Sequence, residues 1–261
     1  MGPNFYLNKG FASEGQEKNV VYSLRDQFYQ ENTVNRNLPN GQADPNASFL
    51  PVPAAVGQSK ETASDAQWLE LLKQSTTGLS LSAPVLRLRF ATSFDPRGNN
   101  PLYTELADQF GHVILSSSGG GRRKGIFVNI KGRGLPARSY SVKLEQSGVT
   151  YLPFKPRNDN GWRELGFPVR VWSLPPRSGS LTAVLNKDDD PGNPSSAFYD
   201  VSVPAFTQFD ERSPYADQWE LTVDGAIPGS PNWRLLSEDL AKITDIRVGL
   251  TVQGFDPQKV Q

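Results

Sequence analysis

The chain has 261 residues, with 27 basic side chains, 27 acidic ones and no cysteine. Zero formal net charge argues against a polyanionic partner, and the missing thiols exclude disulfide and thiolate chemistry while leaving the cellular compartment open. No apolar run approaches the roughly 18 residues of a membrane-spanning helix, and Met1-Gly2-Pro3-Asn4 offers neither a basic nor an apolar signal region, so a soluble chain without a secretory signal is expected.

Residues 1–60 hold little that could form a core. Asn, Gln, Ser, Pro and Gly dominate from Glu31 to Lys60, and the apolar clusters are short: Phe5-Tyr6-Leu7, Val20-Val21-Tyr22 with Leu24, and Phe49-Leu50-Pro51-Val52. Burying so few side chains does not offset the entropy of ordering such a segment. An extended arm over residues 1–80, held by neighbouring subunits, is therefore expected; an arm lying across its own domain is the alternative. The arm includes one short helix. Ser64-Asp65-Ala66-Gln67 is a capping-box pattern, and Trp68, Leu71 and Leu72 form the apolar face that follows.

From residue 81 to 255 the chain reads as strands separated by turns. Leu86, Leu88 and Phe90 alternate with Arg87 and Arg89. A second short helix is predicted from Asn100 and Pro101 through Leu102, Leu106 and Phe110 to a stop at Gly111. Strands are then predicted at Val113–Leu115, Ile126–Ile130, Tyr140–Leu144, Val149–Leu152, Phe167–Trp172, Leu181–Leu185, Tyr199–Val203 and Trp219–Val223. The clearest alternation comes last: Ile246, Val248, Leu250 and Val252 point one way, and Arg247, Gly249, Thr251 and Gln253 the other. About ten strands, two short helices and 23 glycines with 21 prolines in the turns indicate an all-β protein, a single jelly-roll-like β-sandwich with an extended N-terminal arm and a tail at 256–261.

Few residues combine into a catalytic pattern. The single histidine, His112, lies at the mouth of a strand with no G-x-S-x-G elbow, and one histidine cannot build a multi-histidine metal site. Catalysis would have to use paired carboxylates; no enzyme activity is expected. Asp188, Asp189 and Asp190 lie in an oxygen-rich loop that superficially resembles a calcium loop, Ca2+ being the one cofactor it could suggest, but its spacing is not that of an EF-hand and a solvated acidic hairpin tip is the preferred reading. The Ser116–Gly125 stretch lacks the Walker spacing.

Charge is unevenly distributed. Arg122, Arg123, Lys124, Lys131, Arg133, Arg138 and Lys143 form a basic block without acidic residues, whereas Lys187–Asp245 carries 12 acidic residues against four basic ones. Such opposed blocks suit head-to-tail docking between copies, or internal pairing across the sandwich. Nucleic-acid binding is not favoured, because no recognition motif accompanies the basic block. Trp162, flanked by Asn158, Asp159 and Asn160, is the candidate for stacking on a glycan.

Tyr151-Leu152-Pro153-Phe154, then Trp219-Glu220-Leu221-Thr222-Val223, then Ile243-Thr244-Asp245-Ile246-Arg247-Val248-Gly249-Leu250 resemble, in that order, the C-terminal β-sandwich of insecticidal toxin complex A subunits. Galactose-binding-like jelly rolls end similarly. The interval between the first two stretches is longer here than in the toxin family. The resemblance implies a non-enzymatic sandwich module in a large particle. The expected function is a structural or docking subunit of an assembly such as a virion, tail or toxin, partnered by other protein subunits or by copies of itself. A carbohydrate- or receptor-binding module is the alternative, and a carboxylate hydrolase the third reading.

Overall fold

The computed structural model describes residues 16–26, 65–77, 84–90, 92, 112–115, 125–136, 140–153, 169–173, 175–210, 212–224 and 237–255. Among these residues, ten strands and two short helices follow one another as β1 (Gln16–Ser23), α1 (Asp65–Gln74), β2 (Thr76–Thr77), β3 (Val85–Phe90), β4 (His112–Leu115), β5 (Ile126–Gly132), β6 (Tyr140–Pro153), β7 (Val169–Ser173), β8 (Arg177–Leu185), β9 (Ala216–Asp224), α2 (Ser237–Leu240) and β10 (Ile243–Phe255). The all-β class is as the sequence predicts.

The strands form one sheet in the order β1-β10-β5-β8-β6-β9-β3-β2, with β4 also on β10 and β7 also on β6. The two layers expected of a sandwich are thus joined, through β8, which pairs parallel with β5 at Asn129↔Val184 and Ile130↔Leu185 and antiparallel with β6. The sheet curls tightly. Six strand-to-strand steps separate β1 from β3, roughly 29 Å in a flat sheet, yet the Tyr22 and Phe90 rings stack with centroids 5.7 Å apart. Phe90 stacks in turn on Trp219. Curling brings alternate residues of β1, β3, β5, β6, β9 and β10 into one core, from Val20, Tyr22 and Leu24 through Val142 and Leu221 to Val252. Such alternation is the geometric consequence of a two-residue side-chain period.

β10 lies inside this sheet. One edge pairs with β1 from Ser23↔Arg247 to Gln16↔Gly254; the other pairs first with β5 and then with β4. Its core side, Ile246, Val248, Leu250 and Val252, is buried throughout, as the alternation predicts. α1 closes one end of the core with Trp68 and Leu72, and the Trp68 indole N–H donates to the Ile243 carbonyl at 3.0 Å.

Gln16–Asp26 and Asp65–Thr77 lie within the predicted arm and pack against the strands: Val20, Tyr22 and Leu24, too few to form a core alone, complete one built by distant strands. Two expectations need correction. Tyr140–Leu144 and Val149–Leu152 are a single strand, because Gly148 adopts φ 73° within a bulge between Ser147 and Thr150 instead of making a turn. Tyr199–Val203 is not a strand but a run of turns: Tyr199 N–H donates to Ser196 O, Val203 N–H to Asp200 O, and the Asp200 carboxylate accepts from the Ser202 N–H at 2.9 Å. The second predicted helix, at 100–110, lies outside the described residues.

Candidate functional site on the outer face of β1, β10 and β5

Residues of β10 that face away from the core fall in register with their neighbours. Asn19 sits beside Thr251, Val21 beside Gly249 beside Phe127, Ser23 beside Arg247 beside Asn129, and Asp245 beside Lys131. One end of this face is apolar and the other is charged, and the long connection from Asn186 to Tyr215 folds over both.

Over the apolar end, Phe127, Ala197, Phe198 and Val203 form a second, small cluster with Val21, Val184 and Tyr199. The Phe127 and Phe198 rings meet edge-to-face with centroids 4.9 Å apart. Gly249 makes this possible: an added Cβ would lie 2.2 Å from the Phe127 Cε1 and Cζ atoms. A crevice between this cluster, Gly125, Asp200, Ala205 and Thr251 encloses about 10 Å³, room for about one water molecule.

At the charged end the connection is fastened by Asn129, whose side-chain amide donates to Lys187 O at 2.8 Å and accepts from Lys187 N–H at 3.3 Å. That hold turns Asp189 inward, where it is only 5 % exposed. Its Oδ1 lies 3.1 Å from Arg247 Nη1 and 3.3 Å from Lys131 Nζ, and its Oδ2 accepts from Asn129 Nδ2 at 2.9 Å. Arg247 Nε donates to the second buried carboxylate, Asp245, at 2.6 Å. Asp245 also accepts from Ser23 Oγ at 3.0 Å and from the Arg25 N–H at 3.3 Å. Arg25 continues the chain of contacts to Thr244 O at 2.9 Å and to Asp65 at the start of α1, also at 2.9 Å.

Burial pushes the Asp245 carboxyl above its ordinary range, outweighing the opposing pull of Arg247, Ser23 and the Arg25 N–H. Burial alone would lower Arg247, but Asp245 and Asp189 together hold it above its usual value. At the rim, Asp200 is held well below the carboxylate range by Lys187 and then Ser202. Asp188 is lowered chiefly by the Asp190 backbone N–H, with the Asn193 side chain adding to it. Chemically, the arrangement pairs opposite charges, and its carboxylates accept hydrogen bonds from four separate elements of the chain.

The three neighbouring aspartates therefore do not converge. Asp188 turns to Asn193 and the Asp190 N–H, Asp190 accepts from the Gly192 N–H at 2.8 Å, and Asp189 faces two cations. Asp189 thus neither shares a centre with Asp188 and Asp190 nor sits at a solvated tip; its carboxylate is buried against two cations. Among the described residues no group of three or more His, Cys, Asp or Glu side chains could hold a metal ion. Within the predicted basic patch, Lys131 is directed at Asp189, so opposite blocks pair internally at this point; Arg133 is exposed in the turn after β5. Arg122, Arg123, Lys124, Arg138, Trp162, Asn158, Asp159 and Asn160 lie outside the described residues.

Sequence reasoning missed a second buried polar cluster. Gln146 at the β6 bulge donates to Ser213 O at 2.9 Å and accepts from Arg212 Nη1 at 3.3 Å; Arg212 Nη2 donates to Pro175 O at 2.6 Å. Burial, with repulsion from Arg177, pushes Arg212 down to about 10. Thr92 Oγ1 accepts from the Trp219 indole N–H at 2.8 Å and the Ala216 N–H at 3.1 Å. Gln146, Arg212 and Thr92 carry no motif. The one hint was their position at the rims of apolar strands.

No protein-family profile matches the chain, and no curated protein matches it. Among solved structures, a cryo-EM structure of TcaA-TcaB from Yersinia pseudotuberculosis is similar at 12 % identity and a TM-score of 0.37. The match covers 94 % of this chain and 10 % of that one, so the chain spans about a tenth of that protein's length.

Proposed function

We propose that the chain is a non-enzymatic structural subunit that docks in a larger protein assembly. The observation that supports this reading is β1. It is an eight-residue strand at the end of the strand order, bound on one side to β10, and an edge strand is a ready template for contact with another chain. The polar residues 27–64 then join it to α1, a length of chain with a composition that suits running over a neighbour. The buried charges, by contrast, are engaged in holding β1, β5, β10, α1 and the 186–215 connection together. No helix among the described residues is long and apolar enough to cross a membrane.

The test is the mass of the protein isolated natively from the cells that make it, by size-exclusion chromatography with light scattering. A particle well above the 28.7 kDa of one chain is expected. Elution as a lone chain at every concentration would overturn the proposal.

A further inference from the structure

β1 is attached to the body by a set of contacts that do not depend on which copy of the chain supplies it. Its pairing with β10 runs unbroken over all eight residues, Gln16↔Gly254 to Ser23↔Arg247. Val20, Tyr22 and Leu24 fill the core opposite Phe90, with none more than 4 % exposed. At the end of the strand and just beyond it, Ser23 and Arg25 are clasped by Asp245 and the Thr244 carbonyl. Without β1 the body would present a matching apolar and hydrogen-bonding slot along one edge of β10.

The route back to the body is long. Residues 27–64 separate the end of the described N-terminal segment from α1, and some 40 residues extend to roughly 130 Å. A second copy is thus well within reach. Zero net charge removes long-range repulsion between copies.

We infer that β1 is exchanged between copies of this chain, each copy's β1 filling the slot along the β10 of another. This rests on the assembly reading above and names the partner as a second copy. Exchange reproduces every β1–β10 hydrogen bond, the Tyr22–Phe90 stack and the Asp245 clasp. Its cost is confined to association and to the course of residues 27–64, which is why swapping of a terminal element is a low-cost route to oligomers.

The absence of cysteine gives a clean assay. Asn19 and Thr251 are register partners, and Thr251 Oγ1 donates to Asn19 Oδ1 at 2.8 Å; directly opposed residues of an antiparallel pair lie within disulfide range. Full-length chains carrying only Asn19→Cys and chains carrying only Thr251→Cys, with different tags, are produced together, oxidised and separated without reductant. Exchange gives a covalent dimer of one chain of each kind as the dominant dimeric band. The double variant Asn19→Cys/Thr251→Cys in a single chain type then gives linked copies, a doubly bridged dimer where exchange is reciprocal and a ladder where it runs on from copy to copy. A double variant that closes only within its own chain, together with no mixed dimer, overturns the inference even if the natively isolated protein is a large particle. The register pair Glu17→Cys and Gln253→Cys, nearer the end of the strand, repeats the assay if the first pair perturbs folding. The same two outcomes decide it.

Discussion

Gly249→Ala isolates a single steric requirement of the outer face. Gly249 has no positive φ, so the substitution is not strained by backbone conformation; the limit is space. The new Cβ would sit 2.2 Å from two Phe127 ring atoms, and Phe127 has no easy retreat. It is 3 % exposed and fixed edge-on against Phe198 at 4.9 Å. Overpacking of this kind costs about 1–3 kcal/mol, and disturbing the aromatic pair costs about 0.5–1.5 kcal/mol more. A total of about 2–4 kcal/mol corresponds to a fall in Tm of roughly 5–15 °C for a chain of this size. Urea unfolding of wild type, Gly249→Ala, Phe127→Ala and the double variant measures it. Removing the ring is itself costly, about 3–5 kcal/mol, but in that background the added methyl has room and its own cost should fall close to zero. The coupling between the two sites would then be about 2 kcal/mol or more. The reasoning is refuted if Gly249→Ala is silent in the wild-type background, or if it costs as much without Phe127 as with it.

Other outcomes follow from the same contacts. Asp189→Ala should destabilise by about 2–3 kcal/mol, below the usual cost of breaking a buried pair because Arg247 and Lys131 are partly exposed; Asp188→Ala, at the surface, should leave the unfolding midpoint close to that of wild type, and equal effects in urea unfolding would contradict the opposed orientations. Tyr22→Ala should cost about 3–4 kcal/mol, and an unchanged unfolding midpoint would show that β1 contributes nothing to the core. Because burial raises Asp245 above 3.8, protonation there favours the folded state: its contribution is fully present below that value and is lost as pH rises through the raised pKa. Wild type should therefore gain stability relative to Asp245→Asn as pH falls from neutral toward 3.8, and a gap that shrinks instead would show that pairing with Arg247 outweighs burial. Asp200, with its pKa lowered, acts in the opposite sense: its contribution is present above 3.8 and lost below it, so Asp200→Asn should narrow its stability deficit under acid.

The strands legible in the sequence were those with strict alternation, such as Ile246–Val252 and Leu86–Phe90, because one buried face imposes that pattern whatever the partner. β1 was harder. Val20-Val21-Tyr22 reads as three adjacent apolar residues, since Val21 serves the outer cluster while its neighbours serve the core. Only the Gly249–Phe127 arrangement on other strands gives Val21 a reason to be apolar. Tyr199–Val203 looked extended for the converse reason: its apolar residues cover the sheet from a chain of turns fixed by Asp200. The charged site was the least legible. Asp189 differs from Asp188 and Asp190 only in what Asn129 does to the backbone at Lys187, a contact spanning 58 residues that local composition does not record.

The pairing of β1 with β10 also sets a timetable for synthesis. Ser23 and Asp245, which share a hydrogen bond, are 222 residues apart in the chain, so roughly 10–45 s separate their emergence at ordinary translation rates. Throughout that interval Val20, Tyr22 and Leu24 have been made and the β10 of their own chain has not. Every ribosome translating this message therefore displays an apolar strand edge until translation is nearly past β10. The burden of keeping that edge from engaging other nascent strands falls on the translation machinery and its chaperones rather than on the fold.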